Sequence, residues 1–298
     1  MRKISTVILS LLLLSGVSAI VAYGQTKKAN DARGLLYQIT GNNLKTPSYL
    51  FGTIHFICPN DMFSKEKLAA VIGETDQLIM ELDMDDPSEM KMVETNILFT
   101  NGKTIKDFLS PEQYAKVDEM TKSVIGVPIE SLKTLRPVML QTFLMVSSKS
   151  LGCNPPSSYE KMFKETAAEK KKSIIGLETA QSQFDALNKT PVKEQAKKLY
   201  EMALDPNKSF ADFKKLVEIY KMQDSDALYN EMNAQMSKDK TFQTTLLDDR
   251  NVAWIPKLEK EMKERSSFIA VGGGHLGGKK GVINLLKAKG YKITAIKL

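Results

Sequence analysis

The chain has 298 residues and a formal net charge of +7; hydrophobic residues make up 42% of it and charged residues 26%. These proportions are typical of a globular protein and exclude a disordered or collagen-like chain. The positive charge is modest and dispersed, with no clustered arginines, interleaved aromatic residues or nucleic-acid-binding motif, so the sequence predicts no nucleic-acid partner.

The first 24 residues have the pattern of a secretory signal peptide. Met1–Lys3 is basic, residues 4–22 are apolar, and Ala22 and Gly24 supply small residues at the −3 and −1 positions of a cleavage site. We therefore expect a mature domain of residues 25–298 that is exported to a periplasmic or extracellular space. The alternative is an uncleaved segment that anchors the chain in a membrane, since the apolar stretch is long for a signal peptide.

Two short strands are predicted at the start of the mature domain. Gly34–Thr40 and Ser48–Thr53 are strand-like runs, and Gly41–Asn43 between them has the composition of a turn. They are therefore expected to form a hairpin. The second strand ends in Gly52-Thr53-Ile54-His55, which places a histidine where the sheet meets a loop.

A third strand is expected over Asp76–Met84, after a helix that Ser64 caps and that ends near Ile72. Alternation along this strand would place Glu81 and Asp83 on one face near its end. Carboxylates are rarely buried without a partner, so this pair indicates a candidate site.

From about residue 85 to about residue 263 the pattern is mainly helical, which predicts a large helical insertion. Ser173–Thr179 is the exception, because it reads as a strand that ends in Glu178. The predicted helices cover residues 110–126, 132–151, 159–172, 192–202, 210–223, 227–237, 241–250 and 254–264. The second of them is expected to be interrupted near Arg136-Pro137 and closed by Gly152.

The C-terminal segment is predicted as strand, loop, helix and strand. Phe268–Val271 is a buried strand, Gly272–Gly281 is glycine-rich, Val282–Lys289 is a helix and Tyr291–Ile296 is a final strand. Strand-rich ends around a helix-rich middle predict an α/β fold that leans towards α+β. Its central sheet would be formed by the N- and C-terminal segments around a large helical middle section.

The glycine-rich loop contains a formal G-x-G-x-x-G motif at Gly272, Gly274 and Gly277. A dinucleotide-binding fingerprint also requires an acidic residue about 20 positions further on. No Asp or Glu follows Glu264, so the sequence argues against a dinucleotide cofactor. A G-x-S-x-G nucleophile motif and a P-loop are also absent from the sequence.

The chain has two histidines, His55 and His275, each placed three residues after a glycine and at the end of an apolar run. The ends of strands are the usual location of sites in α/β folds, so both imidazoles are expected in one cleft. Together with Glu81 and Glu178 they could hold a divalent metal such as Zn²⁺, Mn²⁺ or Co²⁺. Without a metal, the same groups could perform acid–base hydrolysis, and spacing alone does not separate these alternatives.

The sequence contains two cysteines, Cys58 and Cys153. In an exported protein they are expected to form a disulfide. The alternative is a zinc site that uses both cysteines and both histidines, but the chain lacks paired C-x-x-C or H-x-x-H spacing.

Several segments, taken in order and with their spacing, resemble the TraB/GumN family. They are Tyr49–His55, Glu81–Asp83, Gly176–Thr179 with Gln183, Arg250–Asn251 with Trp254, and Val271–Leu276. The resemblance extends from about Leu35 to Ile296. It implies an α/β core related to the Tiki proteases and to ChaN-like and erythromycin-esterase-like folds, in which two Gly-x-x-His motifs meet at one cleft.

The resemblance also implies functions for individual residues. His55, Glu81 and His275 would be catalytic and metal-binding, and Glu178 would act as base, ligand or neighbour of the site. The supporting positions are Gly52, Gly272, Arg250, Asn251 and, as a weaker candidate, Arg136.

The function expected from this resemblance is that of an exported, metal-dependent hydrolase. Its substrate would be a peptide or protein, and its cofactor a divalent ion of Zn, Mn or Co. Two alternatives remain open at this stage. One is a non-catalytic protein that binds peptides in the same cleft, and the other is a hydrolase of non-peptide esters.

Overall fold

A mixed six-stranded sheet forms the centre of the fold in a computed structural model that describes residues 33–235 and 243–298. The predicted signal peptide lies outside the described residues. The strands are β1 (Leu36–Gly41), β2 (Ser48–Thr53), β3 (Gln77–Met80), β4 (Ser173–Gly176), β5 (Ser267–Gly272) and β6 (Tyr291–Ile296). Their order across the sheet is β4-β3-β5-β2-β1-β6.

The N- and C-terminal segments interleave in this sheet, as predicted. β1 and β2 form the expected antiparallel hairpin, and β2 runs parallel to β5. β3 is parallel to both β4 and β5, while β6 closes the far edge antiparallel to β1. β5 and β6 are therefore not neighbours. They are separated by β2 and β1, which differs from a simple β-α-β unit of adjacent strands.

β3 is shorter than the predicted strand, because it ends at Met80. All four of its residues are buried, as expected for a strand with parallel neighbours on both sides. The alternation in residues 76–84 therefore does not mark a half-exposed strand. Glu81 follows the strand, and Asp83 accepts a hydrogen bond from the Asp85 backbone rather than sharing a face with Glu81.

Asp76 joins the starts of β3 and β5. Its carboxylate accepts hydrogen bonds from the Ser266 hydroxyl at 2.7 Å and from the Ser266 backbone N–H at 3.0 Å. These hydrogen bonds, first that of the hydroxyl, lower the pKa of Asp76 below its usual 3.8. The contact therefore stabilises the fold while Asp76 is ionised, and this contribution is lost as the pH falls through the lowered pKa.

Asp76→Asn is expected to reduce the free energy of unfolding by about 0.5–1 kcal/mol at neutral pH, a small effect because the carboxylate is exposed. Thermal unfolding of variant and wild type should converge as the pH falls through the lowered pKa of Asp76, because the wild-type carboxyl then becomes protonated. A difference in melting temperature that is the same in acid as at neutral pH would contradict this assignment.

α-Helices form most of residues 65–264. They are α1 (Lys65–Gly73), α2 (Pro87–Asn96), α3 (Pro111–Ile125), α4 (Pro137–Met145), α5 (Ser148–Leu151), α6 (Tyr159–Glu169), α7 (Ala180–Asn188), α8 (Val192–Leu204), α9 (Pro206–Lys221), α10 (Ser225–Gln235), α11 (Asp249–Glu264) and α12 (Val282–Ala288). In the described residues, no helix is long and apolar enough to span a membrane.

The helix predicted at 132–151 is interrupted near Arg136-Pro137 and closed by Gly152, as expected, but the structure also divides the remainder into α4 and α5. Pro137 occupies the first turn of α4, where its missing N–H needs no partner. Ser147 then starts α5 by accepting a hydrogen bond from the Ser150 backbone at 3.2 Å. Gly152 ends α5 with a left-handed φ of 85°.

The two helices predicted at 241–250 and 254–264 are also wrong as separate elements. A π-helix over Thr244–Asp248 runs directly into α11. Pro256 lies inside α11 without ending it. π-Helical turns are rare and often found at functional sites, and this one ends two residues before Arg250.

The described residues contain two apolar clusters. The larger surrounds the sheet and includes Phe51, Leu78, Trp254 and Phe268. The smaller lies among α3, α4, α8 and nearby segments, and the buried Leu199 belongs to it. The helical middle of the chain thus has some core of its own and also covers the sheet.

Cys58 and Cys153 are joined by a disulfide with Cα atoms 5.8 Å apart. The adjacent residues Ile57 and Ser157 pair through two backbone hydrogen bonds of 3.0 and 2.8 Å. The segment that follows His55 is therefore tied to the segment that precedes α6. Because both sulfurs are bonded to each other, the zinc site with cysteine ligands does not form.

Candidate active site

The parallel pairing of β2 and β5 brings the two Gly-x-x-His motifs to the same edge of the sheet. Thr53 pairs with Gly272, and Gly52 pairs with Val271. A Cβ atom on Gly52 would lie 3.0 Å from the Gly273 Cα and 2.5 Å from a methyl group of Leu276. Glycine at position 52 therefore permits the second motif to pack directly against the first.

His275 is buried, and its tautomer follows from its partners. Its Nδ1 lies 2.6 Å from the Asn251 Oδ1. The Asn251 amide nitrogen donates to the Lys280 carbonyl at 2.9 Å, so its oxygen faces the ring and Nδ1 must carry the proton. The lone pair of Nε2 is then directed at Arg250, whose Nη1 is 3.2 Å away.

The imidazole of His275 is held neutral. Desolvation lowers its pKa most, and although the charge of Glu81 raises it, the pKa falls to about 3. At neutral pH the Nε2 atom therefore keeps its lone pair, which faces Arg250 and could act as a base or a metal ligand only where that contact is released.

Glu81 lies beside His275, with its Oε1 3.8 Å from the His275 Nε2. Oε1 accepts a hydrogen bond from the Gly272 N–H at 2.8 Å, and Oε2 accepts from the Gln183 side chain at 3.2 Å. Burial alone would raise the pKa of Glu81, but its neighbours, first His275 and then Arg250, lower it to about 2. Since His275 is itself neutral, Arg250 is the charge that keeps Glu81 ionised.

Arg250 links the carboxylates of Glu81 and Glu178. Its Nη2 is 2.5 Å from the Glu81 Oε2 and also contacts Glu178, and its Nε donates to Glu178 at 2.9 Å. Nη1 donates to the Leu246 carbonyl of the π-helix at 2.9 Å. The guanidinium also lies 4.9 Å from the Trp254 ring centre. Arg250 is thus a fully engaged cation that orients its neighbours.

His55 occupies a different environment, with 67% of its side chain exposed. Its Nδ1 lies 3.0 Å from the Glu160 Oε1, which also accepts from the Thr53 hydroxyl at 2.7 Å. Desolvation acts to lower the pKa of His55, but Glu160 outweighs it and raises the pKa to about 9. Because most of the His55 side chain is exposed, desolvation of its charged form costs little, and the effect of Glu160 on the pKa dominates. His55 is therefore a protonated imidazole at neutral pH.

Glu160 is a site residue that the sequence does not reveal. It lies in the first turn of α6, next to the capping residue Ser158, whose hydroxyl donates to it at 2.7 Å. An acidic residue in that position is ordinarily explained by helix capping and the helix dipole. Only the packing of α6 against the end of β2 shows that Glu160 holds His55.

The predicted site residues thus fall into three groups. His55, Glu81, Arg250, Gly272 and His275 line one cavity of about 350 Å³. Asn251 and Glu178 hold these residues from behind through His275 and Arg250. Arg136 is not among the lining residues, and it donates to Asn188 at the end of α7 at 3.0 Å.

The rest of the cavity is largely apolar. We call this surface the apolar wall, and it consists of Leu187, Phe213, Leu216, Leu228, Met232 and Leu246. These side chains come from α7, α9, α10 and the π-helix. Polar groups that activate a bond thus lie beside a surface suited to an apolar ligand.

The donor types present match those of a divalent metal site only in part. Each imidazole has its Nδ1 engaged by an oxygen acceptor, Asn251 or Glu160, an arrangement typical of metal-ligating histidines. His275 and Glu81 present donor atoms 3.8 Å apart. Over residues 33–235 and 243–298, however, no three His, Cys, Asp or Glu side chains are grouped closely enough to hold a metal. The chemistry of the donors therefore fits a metal ion, whereas the third ligand is not in place.

Comparison with known proteins agrees with the motif resemblance. The family model described as TraB/PrgY/gumN matches residues 35–295, which includes both Gly-x-x-His motifs and every residue of the site. No match was found among curated proteins or among solved structures. Since the family model covers most of the chain, this protein belongs to the TraB/PrgY/gumN family.

Proposed function

We propose that this protein is an exported hydrolase that cleaves peptide bonds. The observation that supports this most is the convergence of a neutral His275, an ionised Glu81 and a protonated His55 on one cavity. Groups of opposite protonation state in one cleft are the requirement for general acid–base catalysis. Export is supported by the N-terminal pattern and by the disulfide, which is typical of oxidising compartments.

Glu81, His55 and Arg250 have different parts in the proposed reaction. The Glu81 carboxylate would accept a proton from the attacking water, because Arg250 and the Gly272 N–H keep it ionised and oriented. His55, held by Glu160 at the exposed mouth, would supply a proton to the departing amine. Arg250 is a positioning residue, since its donors are taken up by Glu81, Glu178, Leu246 and His275.

A divalent metal ion would be held by His275 and Glu81, with His55 as the third predicted ligand. In that metal-bound form, Glu81 and His55 would be ligands in place of the base and acid roles given above. When bound, such an ion polarises the substrate carbonyl and lowers the pKa of bound water. His55 would have to lose its proton to serve as a ligand, so metal binding is expected to release a proton and to tighten as the pH rises.

The test combines chelation with substitution of His275. Purified protein is expected to fragment a peptide mixture, to lose this activity with a chelator and to regain it with Zn²⁺, Mn²⁺ or Co²⁺. His275→Ala should reduce the rate by about 10²–10⁴-fold. Met222→Ala, which alters an exposed side chain outside the cavity, is the control and should remain active.

The outcomes separate the alternatives. Activity that is unaffected by chelation but lost in His275→Ala would support a hydrolase that does not depend on a metal. Tight peptide binding without fragments would favour a binding protein. Cleavage of small esters alone would favour an esterase.

A further inference from the structure

We propose that the apolar wall is a recognition pocket for one apolar side chain of the substrate, adjacent to the bond that is cleaved. This inference rests on the proposed function for the nature of the substrate, a peptide. It adds the class of residue that the peptide must carry and the residues of this chain that select it.

Two helices present the wall as regular faces. Phe213, Leu216 and Tyr220 lie three and four residues apart on α9, and therefore share one side of that helix. The Tyr220 hydroxyl donates to the Gly52 carbonyl at 2.8 Å, which fixes that side of α9 against the first Gly-x-x-His motif. Leu228 and Met232 lie four residues apart on α10 and form the second face.

The wall begins at the second motif. A Cβ atom on Gly273 would lie 2.7 Å from a Leu228 methyl group, and one on Gly274 would lie 2.5 Å from the Met232 sulfur. The residue that follows this loop is His275. A peptide whose carbonyl lies near His275 and Glu81 would therefore place a neighbouring side chain against α10.

The π-helix also connects the charged part of the cavity with the apolar wall. The Leu246 carbonyl accepts from Arg250, while its side chain belongs to the wall. One residue thus contacts both the charged cluster and the apolar surface. The pocket is part of the site itself and not a separate hollow.

Size and charge define the occupant. A cavity of about 350 Å³ is at the small end of ligand pockets, which suits a side chain and its flanking backbone. In the described lining, the charged groups are Glu81, Arg250 and His55, which interact with one another. A charged side chain pressed against the wall would be desolvated without a partner, so Leu, Met or Phe is favoured over Asp, Glu or Lys.

The experiment uses blocked peptides that are identical except at one residue next to the cleaved bond. We expect kcat/KM for Leu or Phe at that position to exceed that for Ala or Glu by about 10–200-fold. Leu216→Trp, which fills the pocket, should reduce kcat/KM for the Leu peptide at least about tenfold while changing that for the Ala peptide little.

Leu204→Trp is the matched control. It makes the same substitution at a side chain that is 56% exposed at the end of α8, outside the cavity, and should leave the preference unchanged. Circular dichroism and melting temperature establish that both variants fold.

Each result decides the inference. Two results would contradict the proposed pocket without contradicting the hydrolase. One is equal cleavage of the Leu, Ala and Glu peptides by the wild type, and the other is an equal loss of kcat/KM for all peptides in Leu216→Trp. If the wild type cleaves none of them, the proposed function fails. The pocket is then tested by measuring the binding of the Leu peptide by calorimetry. Binding that Leu216→Trp abolishes then supports the pocket, and no binding overturns it.

Discussion

Arg250→Ala is expected to lower the free energy of unfolding by about 3–5 kcal/mol. The guanidinium is 13% exposed and is shared between Glu81 and Glu178, whose side chains are 12% and 9% exposed. Removing it leaves two buried carboxylates without a counter-charge, and such groups are costly to desolvate unpaired. Urea denaturation of the wild type and the variant measures the loss directly.

Two further variants identify the cause of this loss. Arg250→Lys retains the charge but cannot contact Glu178 through both Nε and Nη2, so it should recover only part of the stability. Replacing Glu81 and Glu178 by glutamine in the Arg250→Ala background should restore part of it, because the unpaired charges are gone. A loss below about 1 kcal/mol in Arg250→Ala would contradict a buried, shared cation.

Removal of the disulfide is the second large expected effect. The Cys58→Ser/Cys153→Ser variant should lose about 2–5 kcal/mol of unfolding free energy, because the cross-link spans 95 residues and restricts the unfolded chain. Cys58 is three residues from His55, so the variant should also hold that imidazole less firmly and be less active.

A reducing agent provides the control for the disulfide. It should lower the melting temperature of the wild type towards that of the double variant and leave the double variant unchanged. A double variant as stable as the wild type, with intact activity, would show that the backbone pairing of Ile57 and Ser157 suffices to hold this segment.

Part of the fold could be predicted because local pattern decides it. The β1–β2 hairpin, the cap at Ser64 and the strand before His275 all depend on residues close in sequence. β3 was predicted too long because a strand with parallel neighbours is buried on both faces, and its alternation then carries no information about exposure.

The candidate site could be predicted as far as its motifs extend. The structure brings His55, Glu81 and His275 to one cavity. Each of them follows the end of a strand, and these strand ends meet at one edge of the sheet. Glu160 and the apolar wall could not be predicted, because nothing local distinguishes a residue that faces the cavity from an ordinary cap or core residue. The packing of α6, α9 and α10 against the motifs determines both.

The central claim is that the paired Gly-x-x-His motifs form one hydrolytic site. Its most direct test is mass spectrometry of an apolar blocked peptide incubated with the protein in ¹⁸O-labelled water. We expect the amino-terminal fragment to carry one ¹⁸O atom in its newly formed carboxyl group with the wild type, and no detectable fragment with His275→Ala or Glu81→Gln. A peptide recovered intact and unlabelled from the wild type, or cleaved equally by all three proteins, would contradict the account.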